Sequence, residues 1–330
     1  MLAEPTRNLA LELVRVTEAA ALAAGRQMGR GDKEGADRAA VEAMRLVLNS
    51  IQMNAVVVIG EGEKDNAPML YNGERVGTGQ GVEMDIAIDP IDGTRPLANG
   101  TGNAIATVAL APRGTMLDPG PFLYMDKMAV GPIAKGRIDI EAPVETNLKE
   151  IADAYGKSVA DLTVVILDRP RHEQLIADVR RVGSRIRLIP DGDVAGALMT
   201  CWPDSGIDVL LGIGGTPEGV LAACALRAMG GEIQGKLIAR NETELSRGRE
   251  MGYDFEKILT IDDLVSSEDV FFAATGITDG ELMQGVKYSG HGARTDSLVV
   301  RGLTGTVREI ISTHRWDKLS RLSAIDYSGG

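Results

Sequence analysis

A change of rhythm near residue 145 constrains this chain more than any other feature. Beyond it, short β-branched runs alternate with helical stretches on short connections. Val164–Leu167, Ile186–Ile189 and Ile207–Leu211 read as strands, and Leu148–Tyr155, Glu173–Val182, Val194–Met199 and Glu218–Met229 as helices. Strands that each hand over to a helix return to one sheet side by side, which predicts an α/β unit with a parallel-type sheet. Val270–Ala273 and Ser297–Val300 read as later strands, and Gly302–Ile311 as a closing hairpin arm.

The first part reads differently. Pro5-Thr6 opens a helix over Leu9–Met28, which Gly29-Arg30-Gly31 stops. A second helix over Glu34–Ile51 turns Ala39, Ala40, Ala43, Met44, Val47 and Leu48 inward. Ala55–Ile59 has the continuous apolar pattern of a buried strand. In Val82–Ile88, Met84, Ile86 and Ile88 face one way and Glu83 and Asp85 the other. Ala104–Leu110 and Tyr124–Val130 are further strands. Two helices followed by strands predict helices packed on a largely antiparallel sheet. The expected domains are therefore residues 1–144 and 145–330, tightly packed with no flexible linker and with a cleft between them.

Composition narrows the function. Aromatics are only 4% of a chain that is 44% hydrophobic, so the core must rest on Val, Ile, Leu, Ala and Met. A net charge of -12 disfavours nucleic acid and anionic membranes. No apolar run approaches the roughly 20 residues that span a bilayer. Met1–Asn8 lacks the basic and apolar regions of a signal peptide, so a cytoplasmic location is expected. Cys201 and Cys224 have no metal-like spacing and read as buried small hydrophobes. An acidic protein that handles a phosphorylated substrate needs something to cancel repulsion, and bound divalent cations would do so.

The chemistry concentrates where strands end. Val82–Ile88 runs into Asp89-Pro90-Ile91-Asp92-Gly93-Thr94. Across such a turn two carboxylates can share one small space, and they repel unless a cation lies between them. Oxygen-only ligands favour a hard ion such as Mg²⁺ or Mn²⁺. The competing reading is an Asx-type turn. Ile59-Gly60-Glu61-Gly62-Glu63 repeats the theme and could equally be a solvated acidic turn. Gly212–Gly219 is a third such junction. It fails the G-x-G-x-x-G spacing of a dinucleotide loop, but Pro217 suits a first helical turn, whose amides can hold a phosphate beside Glu218. Asp191-Gly192-Asp193 precedes a helix that Asp193 could cap. Arg169-Pro170-Arg171-His172 and Lys33 are candidate phosphate contacts, with ordinary surface charge as the alternative. His172, His291 and His314 show no metal-ligand spacing. Acidic and Gly-rich turns converging on one cleft edge suit a two-metal phosphoester hydrolase.

These residues resemble a known set. The hexapeptide Asp89–Thr94 is similar to the metal motif of the lithium-sensitive phosphatase superfamily. Gly29–Lys33, Ile59–Glu63, Ala67–Tyr71, Tyr124–Lys127, Asp168–His172, Pro190–Val194 and Gly212–Gly219 resemble, in order, the class II (GlpX-type) fructose-1,6-bisphosphatases over about residues 7–315. The Glu61-Gly62-Glu63 spacing differs from the adjacent acidic pair of inositol monophosphatases.

The resemblance implies a layered α/β/α/β/α sandwich. It implies hydrolysis of the 1-phosphate of fructose 1,6-bisphosphate with two or more Mg²⁺ or Mn²⁺ ions, in a homodimer or homotetramer. It implies that Asp37 and Glu61 hold one metal, and that Asp89, Asp92 and Glu218 hold another. Thr94 would orient and help deprotonate water, and Lys33 would meet the scissile phosphate. Asp92, Gly93, Thr94, Tyr124, Arg169, Pro170, Arg171, Asp191, Gly192, Asp193 and Gly215 would line the sugar-bisphosphate site. Two positions depart from some relatives, which carry Glu at Asp92 and Lys at Arg169. The alternatives are additional action on sedoheptulose 1,7-bisphosphate, an inositol monophosphatase, and a non-catalytic phosphosugar-binding protein.

Overall fold

The computed structural model describes residues 8–61, 70–120 and 122–319. The readings at Pro5-Thr6, Gly62-Glu63 and Ala67–Met69 lie outside them.

Two helices open the fold, α1 (Ala10–Ala24) and α2 (Lys33–Leu48), and α2 is capped by Asp32, whose side chain accepts from the Gly35 amide at 2.9 Å. The strands β1 (Asn54–Ile59), β2 (Arg75–Val76) and β3 (Glu83–Asp92) follow, then α3 (Thr94–Asn99), β4 (Ile105–Pro112) and β5 (Tyr124–Val130). After α4 (Val144–Tyr155) come β6 (Thr163–Leu167), α5 (Glu173–Val182), β7 (Arg185–Ile189), α6 (Asp193–Met199), β8 (Val209–Gly215), α7 (Thr216–Met229) and β9 (Glu232–Ile238). The chain closes with α8 (Glu242–Glu250), α9 (Ile261–Leu264), β10 (Phe271–Gly276), β11 (Lys287–Ser289), β12 (Gly292–Arg301), β13 (Thr306–Arg315) and α10 (Trp316–Leu319).

Among the described residues these strands form two sheets. The first has eight strands in the order β11-β12-β10-β4-β3-β1-β2, with β13 paired to β12. It is antiparallel except where β1 meets β3. The second has five, in the order β7-β6-β8-β5-β9. There β6 runs parallel to β7 and β8, while β5 is antiparallel to both β8 and β9.

Sheet membership crosses the boundary expected near residue 145. Strand β5 precedes that point yet belongs to the second sheet, and β10 to β13 follow it yet complete the first. The second sheet is also mixed rather than parallel. A helical connection is needed only between parallel neighbours, and β8-β5-β9 are antiparallel.

The layers follow from which faces are apolar. Helices α1 and α2 pack on the outer face of the first sheet through Leu13, Val16, Ala20, Met44 and Leu48, against Ile86, Val108 and Ala273. Helix α7 is buried nearly all round, from Gly219 to Leu226. A helix apolar on every side needs neighbours on every side. It lies against strands of both sheets, and its Ala222, Ala223, Cys224 and Ala225 let both approach. On the far face of the second sheet, α4 and α5 cover Val164, Ile166 and Val209 with Leu148, Ile151, Ile176 and Val179. The order is helix, sheet, helix, sheet, helix, the sandwich that the resemblance implies. No helix of the described residues is long and apolar enough to cross a membrane.

Candidate active site

Where β3, β6 and β8 end, at the start of α3, α6 and α7, they enclose a cavity of about 450 Å³. That is within the size range of small-ligand sites, roughly 300–1,000 Å³. Glu61, Asp89, Asp92, Gly93, Thr94, Tyr124, Arg169, Arg171, Asp191, Asp193, Gly215 and Glu218 all line it. Of the residues singled out by sequence, Lys33, Asp37, Pro170 and Gly192 are not in the lining. Lys33 is exposed at the first turn of α2. Asp37, one turn further along, reaches the site through Thr94, whose Oγ1 lies 3.4 Å from Asp37 Oδ1. Gly192 abuts Asp92: a Cβ built there would stand 3.7 Å from Asp92 Oδ2. Pro170 begins a single 3-10 turn over Pro170–His172.

Asp89-Pro90-Ile91-Asp92 is not a turn beyond the strand but the end of β3 itself. Pairing with β4 slips between Asp89 and Asp92, which bulges the strand there. Asp89 Oδ1 accepts from the Ile91 amide at 3.0 Å. Asp92 Oδ2 accepts from the Ala195 amide at 3.0 Å, which ties β3 to the first turn of α6. Gly93 then takes φ 103°, and an added Cβ would stand 3.2 Å from the Ala104 Cα. Only glycine makes this reversal without strain, and it lets Thr94 start α3 facing Asp37.

Two other sequence readings shift in the same way. The glycines Gly212, Gly214 and Gly215 lie within β8, and α7 begins at Thr216 with Pro217 in its first turn. Gly192 with φ 87° is the N-cap of α6, so Asp193 is not the cap but the first helical residue. Its carboxylate is occupied elsewhere: Asp193 Oδ2 lies 2.6 Å from Lys127 Nζ.

The acidic side of the cleft is electrostatically loaded. Burial, then the charges of Asp92, Glu218 and Glu61, raise the Asp89 carboxyl well above its ordinary range. Burial, then Asp193, do the same for Asp92. Glu218 is pushed to about 7 by burial and next by Asp193, with Lys127 acting against the shift. Glu218 Oε2 is buried without a hydrogen-bond partner. Among the described residues, no three His, Cys, Asp or Glu side chains already stand in a coordinating arrangement. The carboxylates ring the cleft instead. An all-oxygen donor set, mutual repulsion and an unpartnered carboxylate oxygen fit a hard divalent cation.

The opposite side is cationic. Arg169 donates to the Asp168 and Pro190 carbonyls at 2.9 and 2.6 Å, and its other nitrogen lies 3.2 Å from Asp191 Oδ1. Arg171 donates twice to the Ile213 carbonyl, at 3.0 and 2.6 Å, and lies 5.7 Å from the centre of the Tyr124 ring. Burial, then the Arg169 charge, lower the Arg171 pKa, so an anion beside the pair would relieve both. His172 holds this segment in place. Its Nδ1 is 2.7 Å from the Leu167 carbonyl, and its Nε2 accepts from the Ile213 amide at 2.8 Å.

Sequence reasoning missed two cations. Arg95 lines the cavity directly after Thr94. Lys127 is 3% exposed inside the acidic ring. No local signal marked it, because Lys127 follows Asp126 in Tyr124–Val130 and the pair reads as ordinary charge on a strand.

The family described as bacterial fructose-1,6-bisphosphatase, glpX-encoded, matches residues 7–314. Over 325 residues the chain is 48% identical to fructose-1,6-bisphosphatase 1 class 2 of Escherichia coli strain K12, covering 94% of this chain and 96% of that protein. The same identity and coverage hold for the fructose-1,6-bisphosphatase class 2 proteins of Escherichia coli O6:H1 and Shigella flexneri. With a match that runs from α1 through β13 and spans every wall of the cleft, this chain belongs to the glpX-encoded bacterial fructose-1,6-bisphosphatase family.

Proposed function

We propose that the chain hydrolyses the 1-phosphate of fructose 1,6-bisphosphate to fructose 6-phosphate and inorganic phosphate. The observation that carries this is one cavity with a wall of repelling carboxylates facing a wall of arginines. The acidic wall takes cations and the reacting phosphate, and the basic wall takes the second phosphate.

Asp37 and Glu61 would hold one divalent ion, and Asp89, Asp92 and Glu218 another, Mg²⁺ or Mn²⁺. When bound, such ions neutralise phosphoryl charge and stabilise the leaving oxygen. The Thr94 hydroxyl has two acceptors within reach, Asp37 Oδ1 at 3.4 Å and the Ile91 carbonyl at 3.2 Å. Donating to Asp37, it turns its lone pairs outward, where it orients a water and relays that water's proton towards a carboxylate. Lys33 meets the scissile phosphate. Arg169 and Arg171 bind the non-reacting phosphate, which supplies positioning energy. Tyr124, Asp191 and Asp193 line the space for the sugar, with Asp92, Gly93, Gly215 and the backbone at Pro170 and Gly192 completing its boundary.

We place this activity in the cytoplasm, in a homodimer or homotetramer, which light scattering of the purified protein would read. The activity itself is tested by phosphate release from a panel of sugar phosphates with and without Mg²⁺ or Mn²⁺. Release from fructose 1,6-bisphosphate that requires a metal is expected. Release only from inositol monophosphate would overturn the reading.

A further inference from the structure

Lys127 carries a charge into a place where a charge is costly. Its ammonium lies 2.6 Å from Asp193 Oδ2 and donates to the Gly215 carbonyl at 2.8 Å. The fold makes room for it, since a Cβ at Gly214 would stand 2.8 Å from Lys127 Cε and 3.0 Å from Nζ. One side chain thereby joins three walls of the cleft: β5, the start of α6, and the junction of β8 with α7.

Asp193 lies close to the proposed cation ligands. It opens α6, the helix whose Ala195 amide donates to Asp92 Oδ2 at 3.0 Å, and it lines the same cavity as Asp92 and Glu218. An unpaired carboxylate in that position would itself be a cation ligand. Breaking a buried ion pair leaves a costly bare charge, so Asp193 without its lysine would seek another cation.

We propose that Lys127 is a positioning residue that divides the cleft's carboxylates. By pairing with Asp193 it reserves that residue for the sugar and leaves Glu61, Asp89, Asp92 and Glu218 to divalent cations. Its bond to the Gly215 carbonyl also fixes the turn from which Glu218 projects. The inference rests on the phosphohydrolase reading above.

The test is Mn²⁺ binding without substrate, by titration calorimetry or the free-Mn²⁺ spin-resonance signal. Lys127→Gln can still donate to Gly215 but carries no charge. It should bind Mn²⁺ about tenfold tighter than wild type, or take up one further ion. Adding Asp193→Asn to that variant should cancel the gain. The KM for fructose 1,6-bisphosphate should rise about tenfold in Lys127→Gln while kcat changes less. Unchanged or weaker Mn²⁺ binding by the folded variant overturns the proposal, as does a gain that survives Asp193→Asn. If Lys127→Gln does not fold, Lys127→Arg decides. It keeps the charge and should hold Mn²⁺ affinity within about threefold of wild type, so a tenfold gain there counts against the proposal. A wild type that binds Mn²⁺ but does not hydrolyse the bisphosphate sinks the functional reading, not this one.

Discussion

The hydroxyl of Thr94 stands between two oxygens, 3.4 Å from Asp37 Oδ1 and 3.2 Å from the Ile91 carbonyl. Its single proton can serve only one of them at a time. The contact joins α3 to α2 across 57 residues of sequence. If this pair relays a proton from water, Thr94→Ala should lower kcat by about 100-fold with little change in KM. Thr94→Ser should recover much of the rate. Steady-state kinetics on fructose 1,6-bisphosphate decide, and a loss confined to KM would assign Thr94 to binding.

Asp89 occupies a crowded point of the acidic wall. Its carboxyl is destabilised by burial and by Asp92, Glu218 and Glu61. Asp89→Asn should cost about 1,000-fold or more in turnover. It should also raise the melting temperature of the protein in EDTA, because one repelling charge is gone. Activity near the wild-type rate would remove Asp89 from the cation site.

Glu218 makes stability depend on pH in a direction that can be worked out. Burial, then Asp193, raise its pKa from 4.5 to about 7. Between those values the folded chain holds the proton more tightly than the unfolded chain does. Folded-state stability is therefore lost as pH climbs through that window. Below it the group costs nothing, and above it the full penalty applies. In EDTA, the melting-temperature advantage of Glu218→Gln over wild type should grow from pH 4.5 to about 7 and then level off. A constant difference would contradict the assignment. Saturating Mn²⁺ should stabilise wild type most at neutral pH and above.

His172 is a brace rather than a catalyst. It is buried and joins the Leu167 carbonyl to the Ile213 amide. Its pKa is lowered, first by burial, so the ring stays neutral. His172→Ala leaves both backbone groups unsatisfied and should cost roughly 2–4 kcal/mol of stability, read by urea unfolding. Because Arg171 leans on the same Ile213, KM should rise more than kcat falls.

Much of this fold was legible because its helices and strands are strongly patterned. Glu173–Val182 and Tyr124–Val130 coincide with α5 and β5. Strand β9 and helix α8 were not read. In β9 the glycine at 235 interrupts a true alternation, in which Ile233 and Leu237 are buried and Glu232, Gln234 and Lys236 are half-exposed. Helix α8 buries little beyond Gly248 and so lacks an apolar stripe to announce it. Strand order was hidden for another reason. That β10 pairs with β4, and that β5 joins the later sheet, depends on contacts between distant segments that no local pattern encodes. At the site, motifs at strand ends revealed the carboxylates and arginines. Lys127 escaped because a buried lysine is recognisable only by its partner, and Asp193 lies 66 residues away in the chain.

A cleft with opposed acidic and basic walls should hydrolyse its phosphoester only when a divalent cation is present. Phosphate release from fructose 1,6-bisphosphate by the purified protein, first in EDTA and then with Mg²⁺ or Mn²⁺ restored, decides this. No turnover is expected in EDTA, turnover with either or both ions, and fructose 6-phosphate as the sugar product. Metal-independent release, or no release with either ion, would contradict it.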